Sequence, residues 1–149
     1  MQTTITNQWI YDQAPETVWE YLTRPELIAL WLMPNNFEAV KGHEFQFRVN
    51  PIPSLDLDGI MYCKVIDIVP FQQLSYSWKA GPGNGVFTLD TIVKWTLEKH
   101  GNGTKLSLEQ HGFQENNFSI FTAMSGGWEK NIQKMITHLN TVQHGHTNA

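Results

Sequence analysis

Large aromatic side chains recur at alternating positions of several strand-like segments. Phe45 and Phe47 form one such pair, and Tyr76 and Trp78 form a second. Alternate residues of a β-strand face the same side, so each pair is expected to face the interior of the fold. Small-molecule pockets are mostly apolar and contain few polar groups. The pattern therefore favours the wall of a cavity for an apolar or aromatic ligand, and the alternative is that the same rings fill a solid core.

One polar residue is expected among these rings. Gln110 shares the parity of Leu106 and Leu108, which predicts that its amide faces the interior. Tyr hydroxyl and Trp indole N–H groups need hydrogen-bond partners when buried, and such groups can orient a ligand. The candidate ligand-binding residues are Phe45, Phe47, Tyr76, Trp78, Trp95, Gln110 and Trp128.

The histidines do not have the spacing of a metal site. A zinc site needs three or four converging ligands. Only His43 and His111 are expected near the sheet, because His100 belongs to a turn and His144 and His146 to the C-terminal tail. The single cysteine, Cys63, cannot form an internal disulfide or a multi-cysteine site. We predict no metal site and no cofactor.

Acid–base and nucleophilic chemistry have few candidates. Asp67 shares the parity of Met61 and Val65, so it is either a buried acid or a solvated or turn-bonded carboxylate near a strand end. Cys63 lies mid-strand, where a buried thiol behaves as a small hydrophobic group. No Ser-His-Asp order and no phosphate-binding loop is present. No catalytic residue is assigned.

Composition and charge exclude several classes of protein. The 149 residues are 41% hydrophobic and 16% charged, with 10 Lys and Arg against 14 Asp and Glu. The net charge of −4 gives no global attraction to nucleic acid or anionic lipid, and the basic residues are scattered. No apolar segment is long enough to span a membrane or to form a secretory signal. We expect a cytoplasmic protein with one domain over residues 1–149 and no nucleic-acid or membrane partner.

The hydrophobic periodicity predicts the elements that position these residues. A strand is expected at 2–11, and short helices at 15–22 and 26–32. Strands follow at 44–49, 59–69, 73–79, 89–98 and 105–109, with a hairpin turn at 100–103. An amphipathic helix is expected at about 122–142, with Gly126-Gly127 just before its apolar stripe, and residues 144–149 are expected to form a frayed tail.

This order of elements is typical of an α+β fold. An antiparallel sheet of about six to seven strands has one apolar face to cover, and the C-terminal helix is the only element long enough to cover it. We predict a helix-grip fold, in which a curved sheet wraps the long C-terminal helix and two short helices after the first strand close one end. Such an arrangement leaves space between the sheet and the helix.

Several segments resemble one known family. Residues 14–27 (APETVWEYLTRPEL) resemble the opening of the START-like (SRPBCC, birch-pollen-allergen fold) superfamily, and its AHSA-like branch in particular. Residues 42–47 (GHEFQF), 65–78 (VIDIVPFQQLSYSW) and 103–108 (GTKLSL) resemble later motifs of that branch in the same order. Two departures are His43, where a second Gly is usual, and Gln110-His111, where His followed by Ser is common. The resemblance supports the helix-grip fold and makes proton transfer at Gln110 doubtful.

Three functions are consistent with these observations. The first is binding of an apolar or aromatic small molecule between the sheet and the C-terminal helix. The second is a protein-interaction module. The co-chaperone that names the branch has a further N-terminal domain, which this sequence does not contain, so a chaperone partner is not expected. The third is a cyclase- or dehydratase-type enzyme, for which the inward polar groups would be Tyr76, Gln110 and His43. Ile92, on an otherwise polar strand face, suggests a homodimer.

Overall fold

The computed structural model describes residues 4–147, with side chains described for residues 4–141. The strands are β1 Thr4–Tyr11, β2 Glu44–Arg48, β3 Ile60–Val69, β4 Gln73–Ala80, β5 Leu89–His100 and β6 Gly103–His111. The helices are α1 Pro15–Thr23, α2 Pro25–Trp31 and α3 Phe118–Thr147, with short 3₁₀ turns at Pro53–Leu55 and Glu115–Asn117. The predicted tail at 144–149 falls outside the described side chains, and its last two residues lie outside the described chain.

The six strands form one antiparallel sheet in the order β1-β6-β5-β4-β3-β2. Strands β2 to β6 are therefore consecutive neighbours, and β1 joins the far side of β6. His100 pairs with Gly103 across the turn between β5 and β6, where Gly101 has φ of +60°. Glycine has no Cβ to clash in this left-handed conformation. The predicted α+β helix-grip fold is confirmed, with six strands in the sheet.

Helix α3 covers the inner face of the sheet. Of the five residues in the stripe predicted from the 3.6-residue period, Trp128, Ile132, Met135 and Leu139 are buried, and Ile136 is half-buried. Opposite it lie the inward residues of the central strands, among them Tyr76, Trp78, Trp95 and Leu108. Pro15 occupies the first turn of α1, as the sequence predicts, and Pro25 occupies the first turn of α2, which begins one residue before its predicted start. No helix in the described part of the chain is long and apolar enough to cross a membrane.

Helix α3 begins at Phe118, four residues before the predicted start. The preceding turn is capped by Asn117, whose Oδ1 accepts a hydrogen bond from the Gln114 N–H at 2.8 Å. The Asn117 amide also donates to the Thr88 carbonyl at 2.7 Å, which ties the helix start to the β4–β5 loop. Gly126 and Gly127 lie inside the helix. A glycine costs a helix only about 1 kcal/mol, so the packing of the flanking turns keeps the helix continuous.

A β-bulge in β3 changes which residues face inward. Val65 opposes Tyr76, and Asp67 opposes Ser75, so Ile66 is the extra residue. An extra residue reverses the alternation beyond it. Asp67 therefore leaves the inner face and is half-buried, and its Oδ1 accepts a hydrogen bond from the Ile68 N–H at 3.0 Å. Of the two alternatives for Asp67, the turn-bonded carboxylate near a strand end is the one observed.

Candidate functional site

A cavity of about 310 Å³ lies between the inner face of the sheet and helix α3. Strands β3, β4 and β5 form one wall, helix α3 forms the opposite wall, and the segments after α2 and β2 close the side. Almost every lining side chain is apolar, and Asn131 carries the only side-chain amide. The lining residues are Leu32, Met33, Val49, Ile52, Leu55, Leu57, Met61, Trp78, Ala80, Leu89, Ile120, Ala123, Met124, Gly127, Trp128 and Asn131.

Two of the seven predicted ligand-binding residues line this cavity. Trp78 and Trp128 do so from the sheet and the helix, with their ring centroids 5.6 Å apart. The other five are buried beside the cavity and are absent from its lining; these are Phe45, Phe47, Tyr76, Trp95 and Gln110. Their contact with a ligand stays a prediction, and in this structure they build the packed core that supports the cavity wall.

The packed aromatic residues contact one another edge to face. The ring centroids of Phe45 and Tyr76 are 5.3 Å apart, and those of Phe45 and Phe47 are 5.5 Å apart. Phe37 adds a third contact to Phe45 at 4.9 Å. These distances are typical of favourable aromatic pairs, which stabilise beyond the area they bury. Both expectations for the aromatic face therefore apply in part, with a solid core around Phe45 and a cavity beside Trp78.

Tyr76 is buried in this core and hydrogen-bonded within it. Its hydroxyl accepts a hydrogen bond from Trp95 Nε1–H at 2.9 Å. Burial raises the pKa of Tyr76 well above the ordinary value for a phenol, with a smaller opposing effect of the Trp95 hydrogen bond. The hydroxyl is thus held neutral and serves to satisfy the indole.

Gln110 links helix α3 to the sheet through three polar contacts. Its Oε1 accepts a hydrogen bond from Trp128 Nε1–H at 2.8 Å. Its Nε2 donates to Thr91 Oγ1 at 2.9 Å and approaches Met124 Sδ at 3.7 Å. Thr91 Oγ1–H in turn donates to the Trp78 carbonyl at 3.0 Å. The predicted inward amide therefore positions two cavity-lining side chains, Trp128 and Met124, from behind.

The indole N–H of Trp78 differs from those of the two neighbouring tryptophans. Trp95 and Trp128 both donate to a buried side chain. Trp78 Nε1–H donates to none of the described residues. Among these residues, the only fully buried side-chain polar atom without a partner is Tyr11 Oη, so Trp78 Nε1 is not fully enclosed by protein. Trp78 also lines the cavity, so this unpaired donor belongs to one of the side chains that a ligand would contact.

The titratable side chains named from the sequence lie away from the cavity. His43 Nδ1 is 3.3 Å from a Glu38 carboxylate oxygen, and its ring stacks on Phe45 at 6.3 Å. His111 is 3.6 Å from Glu109 on the outer face. Burial raises the pKa of the Cys63 thiol well above its ordinary value. Among the described residues, no group of three or more His, Cys, Asp or Glu side chains could hold a metal ion.

The aliphatic part of the cavity was missed by the sequence reasoning. Ile52, Leu55 and Leu57 come from the proline-rich segment after β2, which the sequence identifies only as a break in strand pairing. Three large apolar residues within six positions of a loop are a usable signal, because a cluster of apolar side chains is informative where a single exposed one is not. Nothing in the sequence indicates that Met33 and Met124 line the cavity.

The family of this chain follows from the comparison of its sequence with known families. Residues 12–140 match the family described as Activator of Hsp90 ATPase homolog 1-like protein. The chain belongs to this family. The resemblance to the AHSA-like branch of the START-like superfamily is therefore confirmed. No curated protein matches the sequence.

Solved structures share the architecture of this AHSA1-like chain. Protein MLL2253 from Mesorhizobium loti is 30% identical with a TM-score of 0.83, and the match covers 93% of this chain and 97% of that one. CalU16 from Micromonospora echinospora is 22% identical with a TM-score of 0.69, covering 89% and 73%. The Aha1 dimer from Colwellia psychrerythraea is 18% identical with a TM-score of 0.73, covering 91% and 94%. The last two similarities concern the fold alone.

Proposed function

We propose that this AHSA1-like protein binds an uncharged, largely apolar small molecule in the cavity between the sheet and helix α3. The observation that carries the proposal is the lining, which includes the large side chains of Met61, Trp78 and Trp128 and no charged residue. Apolar surface of this kind gains free energy when a ligand displaces water from it, by about 25 cal/mol per Å². A volume of about 310 Å³ is at the lower end of the range for small-molecule pockets.

The polar groups at the cavity indicate what else the ligand carries. A charged ligand would lose its hydration without gaining a partner, because no lining residue carries a compensating charge. Trp78 Nε1–H offers one unpaired donor, and the Asn131 amide offers a donor and an acceptor. We therefore expect an apolar or aromatic body that carries a carbonyl or another hydrogen-bond acceptor.

The residues that line the cavity favour a binding function over acid–base catalysis. General acid–base work needs a titratable group within hydrogen-bond reach of the reacting atom. None of the lining residues is titratable, and Tyr76 is engaged with Trp95 outside the lining. A cyclase- or dehydratase-type reaction would therefore have to rely on positioning of its substrate by Trp78 and Asn131.

Native mass spectrometry of freshly purified protein tests the proposal. The expected result is an extra small mass that is lost when the protein is denatured, and that mass identifies the ligand class. The fluorescent naphthyl ketone prodan, which is uncharged and carries one carbonyl acceptor, serves as a probe for protein that has lost its ligand. A protein that carries no extra mass and also fails to bind prodan would contradict the proposal.

The substitution Trp78→Phe tests the hydrogen bond to the ligand. It keeps an aromatic ring in the cavity wall and removes the free N–H, so prodan affinity should fall about two- to tenfold, the net value of one hydrogen bond. Trp9→Phe is the matched control, because Trp9 lies on β1 and is absent from the cavity lining. Fluorescence titration of both variants measures the two dissociation constants. Equal affinities would show that the indole N–H makes no bond to the carbonyl.

A homodimer is a further part of this proposal. The relative from Colwellia psychrerythraea is described as a dimer. Ile92, the residue that suggested a dimer from the sequence, is half-buried in the middle of the sheet on β5. It is therefore a poor centre for a contact, and any contact between copies should be sought elsewhere on the surface.

A further inference from the structure

The two edge strands of the sheet, β2 and β1, differ in how far their outward main-chain groups are covered. Strand β2 forms one edge, and two of its outward main-chain donors are occupied. The Gln46 N–H donates to Asn36 Oδ1 at 2.7 Å, and the Arg48 N–H donates to the Pro34 carbonyl at 3.1 Å. Two of the five residues of this strand, Glu44 and Arg48, are charged. Covered donors and edge charges are the usual means by which proteins prevent a further strand from pairing.

The hydrogen-bond pattern shows which groups of β1, the other edge, face outward. The Leu97 N–H donates to the Gln72 carbonyl at 2.9 Å, so the odd-numbered residues of β5 bond to β4 and the even-numbered ones to β6. The registers of β5 with β6 and of β6 with β1 are unbroken. The odd-numbered residues of β1 therefore bond to β6. The outward N–H and C=O groups therefore belong to Thr4, Thr6, Gln8 and Ile10.

The β1 edge lacks every protection seen at β2. Its eight residues, TITNQWIY, include no charge, no proline and no glycine. Its register with β6 contains no bulge. Within the described residues, the outward groups have no partner beyond the Asn7 side chain, which accepts from the Gln8 N–H at 3.3 Å. Ile10 is 54% exposed on the same edge. A long, uncharged and uncovered edge of this kind is a template for another strand.

We propose that the β1 edge pairs with β1 of a second copy of this chain, antiparallel and about a two-fold axis, to form one continuous twelve-stranded sheet. A two-fold contact places a strand opposite itself, so any charged residue near its centre would face its own charge. The absence of charge from β1 removes this penalty, whereas an edge selecting a different protein would gain from a charge of one sign.

One register satisfies all of the outward groups. With Thr6 opposite Gln8 of the copy, and Thr4 opposite Ile10 of the copy, each outward residue exchanges both of its main-chain hydrogen bonds with the residue it faces. The side chains of these residues lie on the outer face of the sheet, where Ile10 is exposed in the single chain. Pairing would cover Ile10 with the side chain of Thr4 from the copy.

The substitution Gln8→Lys tests the contact. It places a charge beside the two-fold axis, where the two lysines repel each other, while the odd-numbered residues that bond to β6 are unchanged. Gln72→Lys is the matched control, because Gln72 is exposed in the β3–β4 turn. Light scattering coupled to size exclusion should give twice the 17.1 kDa chain mass for the wild type and for Gln72→Lys, and the single mass for Gln8→Lys.

Hydrogen exchange keeps the proposal testable if Gln8→Lys fails to fold. In wild-type protein at submillimolar concentration, the amides of Thr6 and Ile10 should exchange about tenfold or more slowly than after dilution to the nanomolar range. A wild type that is monomeric at every concentration overturns the proposal. The β1 edge would then be expected to pair with a strand of another protein. A dimer in which these two amides exchange at the same rate at both concentrations also overturns it, because the contact would then lie elsewhere.

Discussion

Two buried tyrosines show how a single hydroxyl group can have opposite effects on stability. Tyr76 Oη accepts a hydrogen bond from Trp95, as described above. Tyr11 Oη, at the end of β1, is buried and has no hydrogen-bond partner among the described residues. A buried polar group without a partner has lost its water and gained nothing in return. The hydroxyl of Tyr11 is thus a cost to the folded state, and that of Tyr76 is needed to satisfy Trp95.

The same substitution at both positions should therefore change stability in opposite directions. Tyr11→Phe is expected to raise the free energy of unfolding by about 1 kcal/mol, because it removes an unpaired buried hydroxyl. Tyr76→Phe is expected to lower it by about 1–3 kcal/mol, because it leaves the Trp95 N–H without an acceptor. Urea unfolding followed by tryptophan fluorescence measures both values. Destabilisation by both substitutions would indicate that Tyr11 has a polar partner in solution.

At the scale of elements, helix α3 places two adjacent glycines in different surroundings. Gly127 lines the cavity, whereas Gly126 is exposed and absent from the lining. A Cβ added at either position would meet no atom within 4 Å. Both sites therefore tolerate a side chain, and replacement of either glycine removes a helix penalty of about 1 kcal/mol. The two positions differ in whether the new side chain occupies the space between helix and sheet.

This difference gives a test of the cavity with a control on the same helix. Gly127→Leu should fill part of the cavity and weaken prodan binding about tenfold or more, while Gly126→Leu should leave the affinity unchanged. Circular dichroism checks that both variants keep the helix, and fluorescence titration measures the affinity. A Gly127→Leu variant that is folded and binds prodan as tightly as the wild type would place the probe outside the cavity.

At the scale of the whole molecule, the buried titratable groups predict a loss of stability at alkaline pH. Burial raises the pKa values of Cys63, Tyr11 and Tyr76 above their ordinary values. The folded protein therefore keeps protons that the unfolded chain releases. Below about pH 8.5, the ordinary pKa of a thiol, these groups are protonated in both states and make stability independent of pH. Above it the unfolded state is increasingly favoured, first through Cys63 and then, above about pH 10, through the tyrosines.

Urea unfolding between pH 8 and pH 11 measures this dependence. The free energy of unfolding of the wild type should fall with pH, and the fall above about pH 10 should be smaller in Tyr76→Phe, which has no phenol to titrate at this position. The comparison of the two proteins cancels the titration of lysines. Parallel curves for wild type and variant would mean that Tyr76 titrates alike in the folded and unfolded states.

The sequence by itself determined the order of the elements and their inward faces outside the bulge of β3. The alternation of Tyr76 and Trp78, the stripe at Trp128 and the inward parity of Gln110 depend only on the periods of strands and helices, and all of these residues are buried. The motifs from residue 14 onward also identified the family. Local periodicity is sufficient for these features because each depends on residues that are close in the chain.

The tertiary structure alone decided where the space in the molecule lies. Whether Phe45 contacts a ligand or another ring depends on Phe37, which reaches it from a separate segment. The bulge at Ile66 turned Asp67 away from the inner face, and the cap at Asn117 lengthened α3 beyond its expected start. The exposed edge at β1 likewise became visible only once the strand order was known. These features arise from contacts between residues far apart in sequence, whose packing no local pattern specifies.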